Sequence, residues 1–453
     1  MVLLAVLACA GGTATVSGTD VPSTGDTGPR TREERVRTEL VAAGFTVGTG
    51  YAAELDPGPC CGWESCYLFN PDNRYFGWYL PKAPGQTTGN PLPDGRGRNL
   101  AWRLRPDEAV VAVGRTPPPS AYFSFRTYIH DRLERTGREW LFFNLGDSLN
   151  QFVAGTGPGG PFDADIVVVS VADAATERRV REALLRAEVP EGQINVDVIA
   201  ADDLILGLHE EADTIRLQGR TARFEDEDAG EAWMADPPFT VFRATPTEVT
   251  PFDPLVPEAL RPRGGGWSEK DDWGAAAGTL ELAVRTRYAD YRMTPLNTVI
   301  TDSGDDCPPG CNRDTFFGVS LHFLLPEDKD AFVMVYGVNH ERTGKSVYAN
   351  FSVVEVEHLS ASVAVRSDEM VGSARDYLPE HAKVDDLYAW KLARDCHGEA
   401  HCSEIPWDCP GFPSLGQGAV AWRAYTDATT GTGPSTDELV IDRAALFTRP
   451  VEP

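Results

Sequence analysis

Apolar and polar positions alternate through residues 75–145, and the alternation predicts strands at 75–80, 100–104, 109–114, 122–129 and 140–145, separated by Pro and Gly turns. A mostly antiparallel sheet is the expected product. The period then changes. An apolar run at 166–171 leads into 174–187, where Val180, Leu184 and Leu185 form a helical stripe, and 195–200 is a second strand. Strand, helix and strand within about 35 residues predict a βαβ unit. Strands near 214–224 and 239–244 flank Glu225-Asp-Glu-Asp228, which reads as the solvated tip of a hairpin; its spacing is not that of a calcium-binding EF-hand loop.

Punctuation divides the chain. The stretch 245–266 holds Pro246, Pro251, Pro254, Pro257 and Pro262 and ends in three glycines, which marks a domain boundary. Beyond it, Ser268 caps a predicted helix with Trp273, Ala277, Leu280, Val284 and Tyr288 on one face. Strands are expected at 316–324, 331–338, 348–356, 388–392 and 420–425. At the other end, Thr31-Arg-Glu-Glu34 has the form of a capping box opening a short helix that carries Val36, Leu40 and Val41 and stops at Gly44. The segments 107–125 and 330–352 look alike, each reading as an apolar hairpin, a similarity that generic hairpin composition explains. The expected fold class is therefore α+β: two strand-rich domains, 31–245 and 267–453, with an inserted βαβ unit, joined by a 246–266 linker and stapled by disulfides.

Charge narrows the partners. The formal net charge is −27, and only six lysines are present (Lys82, Lys270, Lys329, Lys345, Lys383, Lys391). Such a field repels phosphate backbones, so no nucleic acid partner is expected.

The N-terminus runs apolar from Met1 to Ala8, closes Val6-Leu7-Ala8 on Cys9, and continues into a Gly-, Ser- and Thr-rich spacer up to Pro29. This arrangement resembles the lipobox of bacterial lipoproteins. The resemblance implies a signal at 1–9 cut before Cys9, lipidation of Cys9, and a flexible 10–30 tether holding an extracytoplasmic domain on a membrane of the cell envelope. Eight residues without Lys or Arg are short for a signal, so the lipobox reading carries the expectation of a start upstream of Met1.

Eight cysteines remain, in clusters of three, two and three: Cys60, Cys61, Cys66; Cys307, Cys311; Cys396, Cys402, Cys409. In an exported chain an even number reads as disulfides. If all eight pair, each odd cluster must send a bond outside itself. The simplest scheme joins Cys307 to Cys311, forms one local bond in each outer cluster, and links the outer clusters to one another. The alternative for Cys396-His397-Gly-Glu-Ala-His401-Cys402 is a metal site, although no CxxC accompanies it.

Trp140-Leu-Phe-Phe-Asn-Leu-Gly-Asp-Ser-Leu149 resembles the first block of GDSL-type (SGNH) hydrolases. The resemblance covers about ten residues and implies an esterase with Ser148 as nucleophile at the end of a strand. The family's later Gly-x-Asn-Asp block has its nearest fit in Gly337-Val-Asn-His340, which would make Asn339 an oxyanion donor and put His340 where the family has Asp. Its Asp-x-x-His block is missing; Glu355-Val-Glu-His358 is the nearest substitute. A P-loop reading of 337–346 fails because Asn339 stands where the first glycine is required. No cofactor is expected, and no metal beyond the alternative just given. Two functions are thus carried forward: a lipid-anchored protein of binding or envelope assembly, and an envelope esterase.

Overall fold

The computed structural model describes residues 30–55, 70, 72–300, 312–356, 361–405 and 417–450. The chain is an α+β protein in which sheets dominate. It opens on α1 (Arg32–Ala42), where the Thr31 hydroxyl accepts from the Glu34 amide and the Glu34 carboxylate accepts from the Thr31 amide.

After α1 come β1 (Phe45–Glu54), β2 (Asn73–Pro81), β3 (Arg98–Asn99) and β4 (Ala109–Arg115). Then follow β5 (Ser120–Glu134), β6 (Gly137–Asn144) and β7 (Leu149–Asn150). The strand β8 (Asp165–Val171), the helix α2 (Ala174–Arg186) and the strand β9 (Ile194–Val198) are a βαβ unit, with β8 and β9 parallel. Two more strands, β10 (Thr214–Phe224) and β11 (Phe239–Pro246), lie on either side of α3 (Glu227–Ala235). All eleven strands belong to one sheet, whose main order is β6-β5-β10-β2-β1-β11-β4-β8-β9.

This sheet is rolled. One face encloses an apolar core that includes Phe76, Trp78, Phe125, Val168 and Val241, and α1 and α2 cover the outer face over Val111, Val169 and Phe242. The roll brings β9, at one edge, back to β5 near the other. Arg126 on β5 donates to Asp197 on β9 at 3.0 Å, and Thr127 and Ser170 donate to the same carboxylate. A buried ion pair, with both side chains 5% exposed, thus stands at the closure.

The second half begins with α4 (Glu269–Arg287), β12 (Arg292–Leu296), β13 (Thr298–Ile300) and β14 (Thr315–Ser320). It continues through β15 (Phe332–Val338), β16 (Tyr348–Glu355), β17 (Ala361–Arg366) and the short α5 (Ser367–Met370). It ends with β18 (Leu387–Ala393), β19 (Cys402–Glu404), β20 (Gly418–Tyr425) and β21 (Arg443–Thr448). Two five-stranded sheets result, β12-β21-β15-β18-β19 and β13-β14-β20-β16-β17. Their inner faces share one core, with Val333, Val335 and Leu392 of the first against Phe351, Val353 and Trp422 of the second. Helix α4 covers the outer face of the first sheet through Ala276, Leu280 and Val284. This half is a β-sandwich with a helix on one side.

A polar seam joins the halves. Tyr122, Tyr348 and Tyr425 form a buried aromatic cluster. Around it, Asn70 and Asn73 donate to the Tyr425 hydroxyl at 2.9 and 3.0 Å, Tyr348 donates to Asn73 at 2.7 Å, and the Tyr122 hydroxyl lies 2.7 Å from Asp314.

Several sequence expectations are corrected. Residues 225–228 are not a hairpin tip. Asp226 accepts from the Ala229 amide and caps α3, whose first turn holds Glu227 and Asp228 where the helix dipole favours anions. Strands β10 and β11 do not pair; each has other partners in the sheet. The two look-alike hairpins are not hairpins either, since β4 pairs with β11 and β8, and β15 and β16 lie in different sheets. Residues 100–104 carry only an isolated bridge from Trp102 to Ile215, and Leu185, expected on the helical stripe, is 43% exposed.

The Cys396–Cys402 disulfide is present, with Cα atoms 5.8 Å apart. The bond removes both thiolates that the metal alternative required. Cys9, Cys60, Cys61, Cys66, Cys307, Cys311 and Cys409 lie outside the described residues, as do residues 10–29 of the tether. Among the described residues, no group of three or more His, Cys, Asp or Glu is placed to hold a metal ion, and no helix is long and apolar enough to cross a membrane.

Candidate functional site

The side chains singled out in the sequence fall in separate places. Ser148 follows Gly146 and Asp147 between β6 and β7, and it is 2% exposed. Its hydroxyl donates to Asn312 Oδ1 at 3.1 Å, and Asn312 donates in turn to the Tyr122 hydroxyl at the seam. The neighbouring Asp147 is held by Arg313 Nε at 2.7 Å and by the Arg261 amide at 2.6 Å. Among the described residues no histidine is hydrogen-bonded to Ser148; His358 lies outside them. Asn339 spans a turn, donating to the Ser367 carbonyl at 2.7 Å and accepting from the Arg342 amide.

Ser148 is therefore built as a tie across the seam. Ser148→Ala should lower the unfolding free energy by about 1 kcal/mol, the usual net worth of one hydrogen bond, as read in urea melts. A fluorophosphonate should leave the wild-type residue unlabelled, and labelling would restore it as a nucleophile.

His340 lies in a different setting, buried just past the end of β15 between the start of α4 and the segment leading into β21. Its Nδ1 is 2.9 Å from Glu269 Oε2 and its Nε2 is 3.0 Å from Asp442 Oδ2. Burial alone favours the neutral ring, but a carboxylate on each nitrogen holds the His340 pKa well above its ordinary range. Glu269, the first residue of α4, also accepts from the Thr343 hydroxyl at 2.6 Å and the Val440 amide at 3.1 Å. Burial pushes Glu269 up, and these donors together with the imidazolium outweigh it and hold Glu269 below the usual range. The line of polar groups continues, as Asp442 Oδ1 accepts from Tyr388 at 2.8 Å and the Tyr388 hydroxyl accepts from Trp422 Nε1 at 3.1 Å. Asp442 can come this close only because position 337 is glycine: a Cβ there would sit 2.1 Å from Asp442 Oδ1.

Asp442 also faces a cavity of about 650 Å³ between α4 and the β12–β21 edge. Its walls carry Lys270, Glu281 and Arg285 from α4, and Asn297, Tyr336 and Arg443 from the sheet side, with Ala277, Met293 and Leu296 supplying apolar surface. Glu281 is paired with both Arg285 and Arg443, which fixes one rim. A cavity with both signs of charge, neutral hydrogen-bonding groups and one apolar wall suits a small polar molecule. Sequence reasoning missed Glu269 and Asp442. The Ser268 cap located Glu269 without explaining it, and nothing local marks Asp442.

No protein-family model matches the chain, and no curated protein matches it. Among solved structures it is similar to an uncharacterised protein from Burkholderia cenocepacia, with 14% identity, a TM-score of 0.40, and coverage of 92% of this chain and 86% of that one. A protein from Vibrio parahaemolyticus is similar at 10% identity and a TM-score of 0.40, covering 84% of this chain and 90% of the other. Neither likeness bears on function.

Proposed function

We propose that this chain is a lipid-anchored, extracytoplasmic binding protein whose ligand is a small polar molecule held beneath α4. The cavity backed by the His340–Asp442 pair carries the binding half of this reading, because its charged groups are already fixed by partners before any ligand arrives. Cys9 and the spacer after it support the anchor. The Cys396–Cys402 bond suits an oxidising compartment, where disulfides persist. In the same compartment the remaining cysteines staple the fold, one bond joining the first cluster to the third.

Two arms test the reading. Cys9→Ser should shift the protein from the membrane fraction to the soluble one. Mass spectrometry of ligand released from the purified protein should identify a small polar compound whose retention is lost in Leu296→Trp, a change that fills the cavity. Membrane association surviving Cys9→Ser would end the anchor reading, and an empty cavity that binds nothing in a metabolite screen would end the binding one.

A further inference from the structure

The outer face of the rolled sheet carries two guanidinium groups that no carboxylate answers among the described residues. Arg216 and Arg220 are two positions on the same side of β10, separated by Gln218. Arg216 lies 4.6 Å from the centre of the Phe142 ring, which stacks on Tyr128 at 4.4 Å and on Trp140 at 5.3 Å. Arg220 sits between the rings of Tyr128 and Tyr75, at 5.2 and 5.5 Å, and donates to the Tyr128 hydroxyl at 2.7 Å. Arg220 is 3% exposed, and among the described residues its Nη1 has no hydrogen-bond partner, nor has Arg216 Nε.

The same half of the molecule shows how this chain treats other buried arginines. Arg243 is paired with Glu108 and Arg126 with Asp197. The chain has 68 acidic residues, yet among the described residues none forms an ion pair with Arg216 or Arg220. A buried cation without a counterion is costly, and two on one strand face also repel each other. Burial and the Arg220 charge push the Arg216 pKa down to about 10, whereas at Arg220 burial is outweighed by the surrounding tyrosines, which hold it above its ordinary range. Arg216 is only half-buried and Trp140 is 43% exposed, so solvent reaches this end of the row.

We propose that Arg216 and Arg220 form a second binding site, separate from the cavity beneath α4, for an exogenous carboxylate whose ring or flat body packs on the aromatic row. The carboxylate supplies the missing counterion to planar guanidinium donors, and the rings supply faces for its apolar part.

Benzoate and its neutral isostere benzamide are suitable probes, titrated into the full chain at constant ionic strength. Benzoate should raise the melting temperature saturably, and benzamide should not. Arg216→Met should weaken benzoate binding by roughly 30-fold or more, as loss of one partner of a buried charge pair does. Without benzoate, the same variant should melt at or above the wild-type temperature, because an uncompensated cation beside Arg220 has gone. Arg220→Met should also abolish the benzoate response; if it fails to fold because its Tyr128 bond is lost, Arg216→Met decides alone. Equal effects of benzoate and benzamide, a benzoate response retained in Arg216→Met, or a clear fall in that variant's melting temperature would each overturn the site and show the arginines to be structural.

Discussion

Replacing His340 with Ala should lower the unfolding free energy of the C-terminal half by about 3–5 kcal/mol, the range for removing one member of a buried charged group. Glu269 and Asp442 would then face each other across a void, their shared cation gone. His340→Gln, which keeps hydrogen-bonding atoms but no charge, should cost less and should change the pH profile in a defined way. A histidine whose folded pKa is raised stabilises fully below its unfolded value near 6.5 and loses that contribution as pH climbs through the folded value. Wild-type stability should therefore decline on the alkaline side of pH 6.5, and His340→Gln should be flat there. Glu269 acts at the other end. Its depressed pKa gives stability that is present above about 4.5 and lost as pH falls through the folded value. Urea midpoints across pH 4–9 read both limbs, and an alkaline limb surviving in His340→Gln would refute the assignment.

The second large effect belongs to the N-terminal half. Arg243 and Glu108 are both fully buried and 3.0 Å apart. Glu108 also accepts from the Thr245 hydroxyl and the Arg105 amide, and Arg243 donates to the Arg103 carbonyl. Arg243→Met leaves a buried carboxylate with neutral donors only and should cost about 3–5 kcal/mol. The double variant Arg243→Met/Glu108→Leu should recover most of that loss, since apolar groups of similar size replace a buried pair at little net cost. Chemical denaturation of the wild type, Arg243→Met, Glu108→Leu and the double variant gives the coupling energy. A double variant no more stable than Arg243→Met would show that the pair is needed for packing rather than for charge balance.

How much of this was legible in the sequence depends on distance along the chain. Strands β4, β15, β16 and β20 are apolar and buried over most of their length, and β5 is buried over most of its own, so their existence could be read locally. Their partners could not. Strands β4 and β5 are adjacent in sequence and lie in different parts of the sheet, and a continuous apolar strand such as β4 carries no local signal that selects its partner. Strand β1 went unpredicted, as Gly48 and Gly50 dilute its alternation. Gly50 is present because a Cβ there would lie 2.0 Å from the Tyr79 carbonyl oxygen. The charged cluster followed the same rule. His340 was named from a local motif, but Glu269 and Asp442 stand 71 and 102 positions away, and no spacing rule links them.

The seam between the halves has a consequence for the order of assembly. Asn70 and Asn73 must wait for Tyr425, which lies 355 and 352 positions further along the chain. Loop-closure entropy of that size is recovered only after nearly the whole polypeptide is available. During synthesis the first half therefore stands complete in its own sheet while its tyrosine and asparagine face is still wet. Such a face loses little by contact with water and offers few apolar groups to a neighbouring chain. Docking of the sandwich is a late step, and the composition of the seam keeps the waiting intermediate soluble until then.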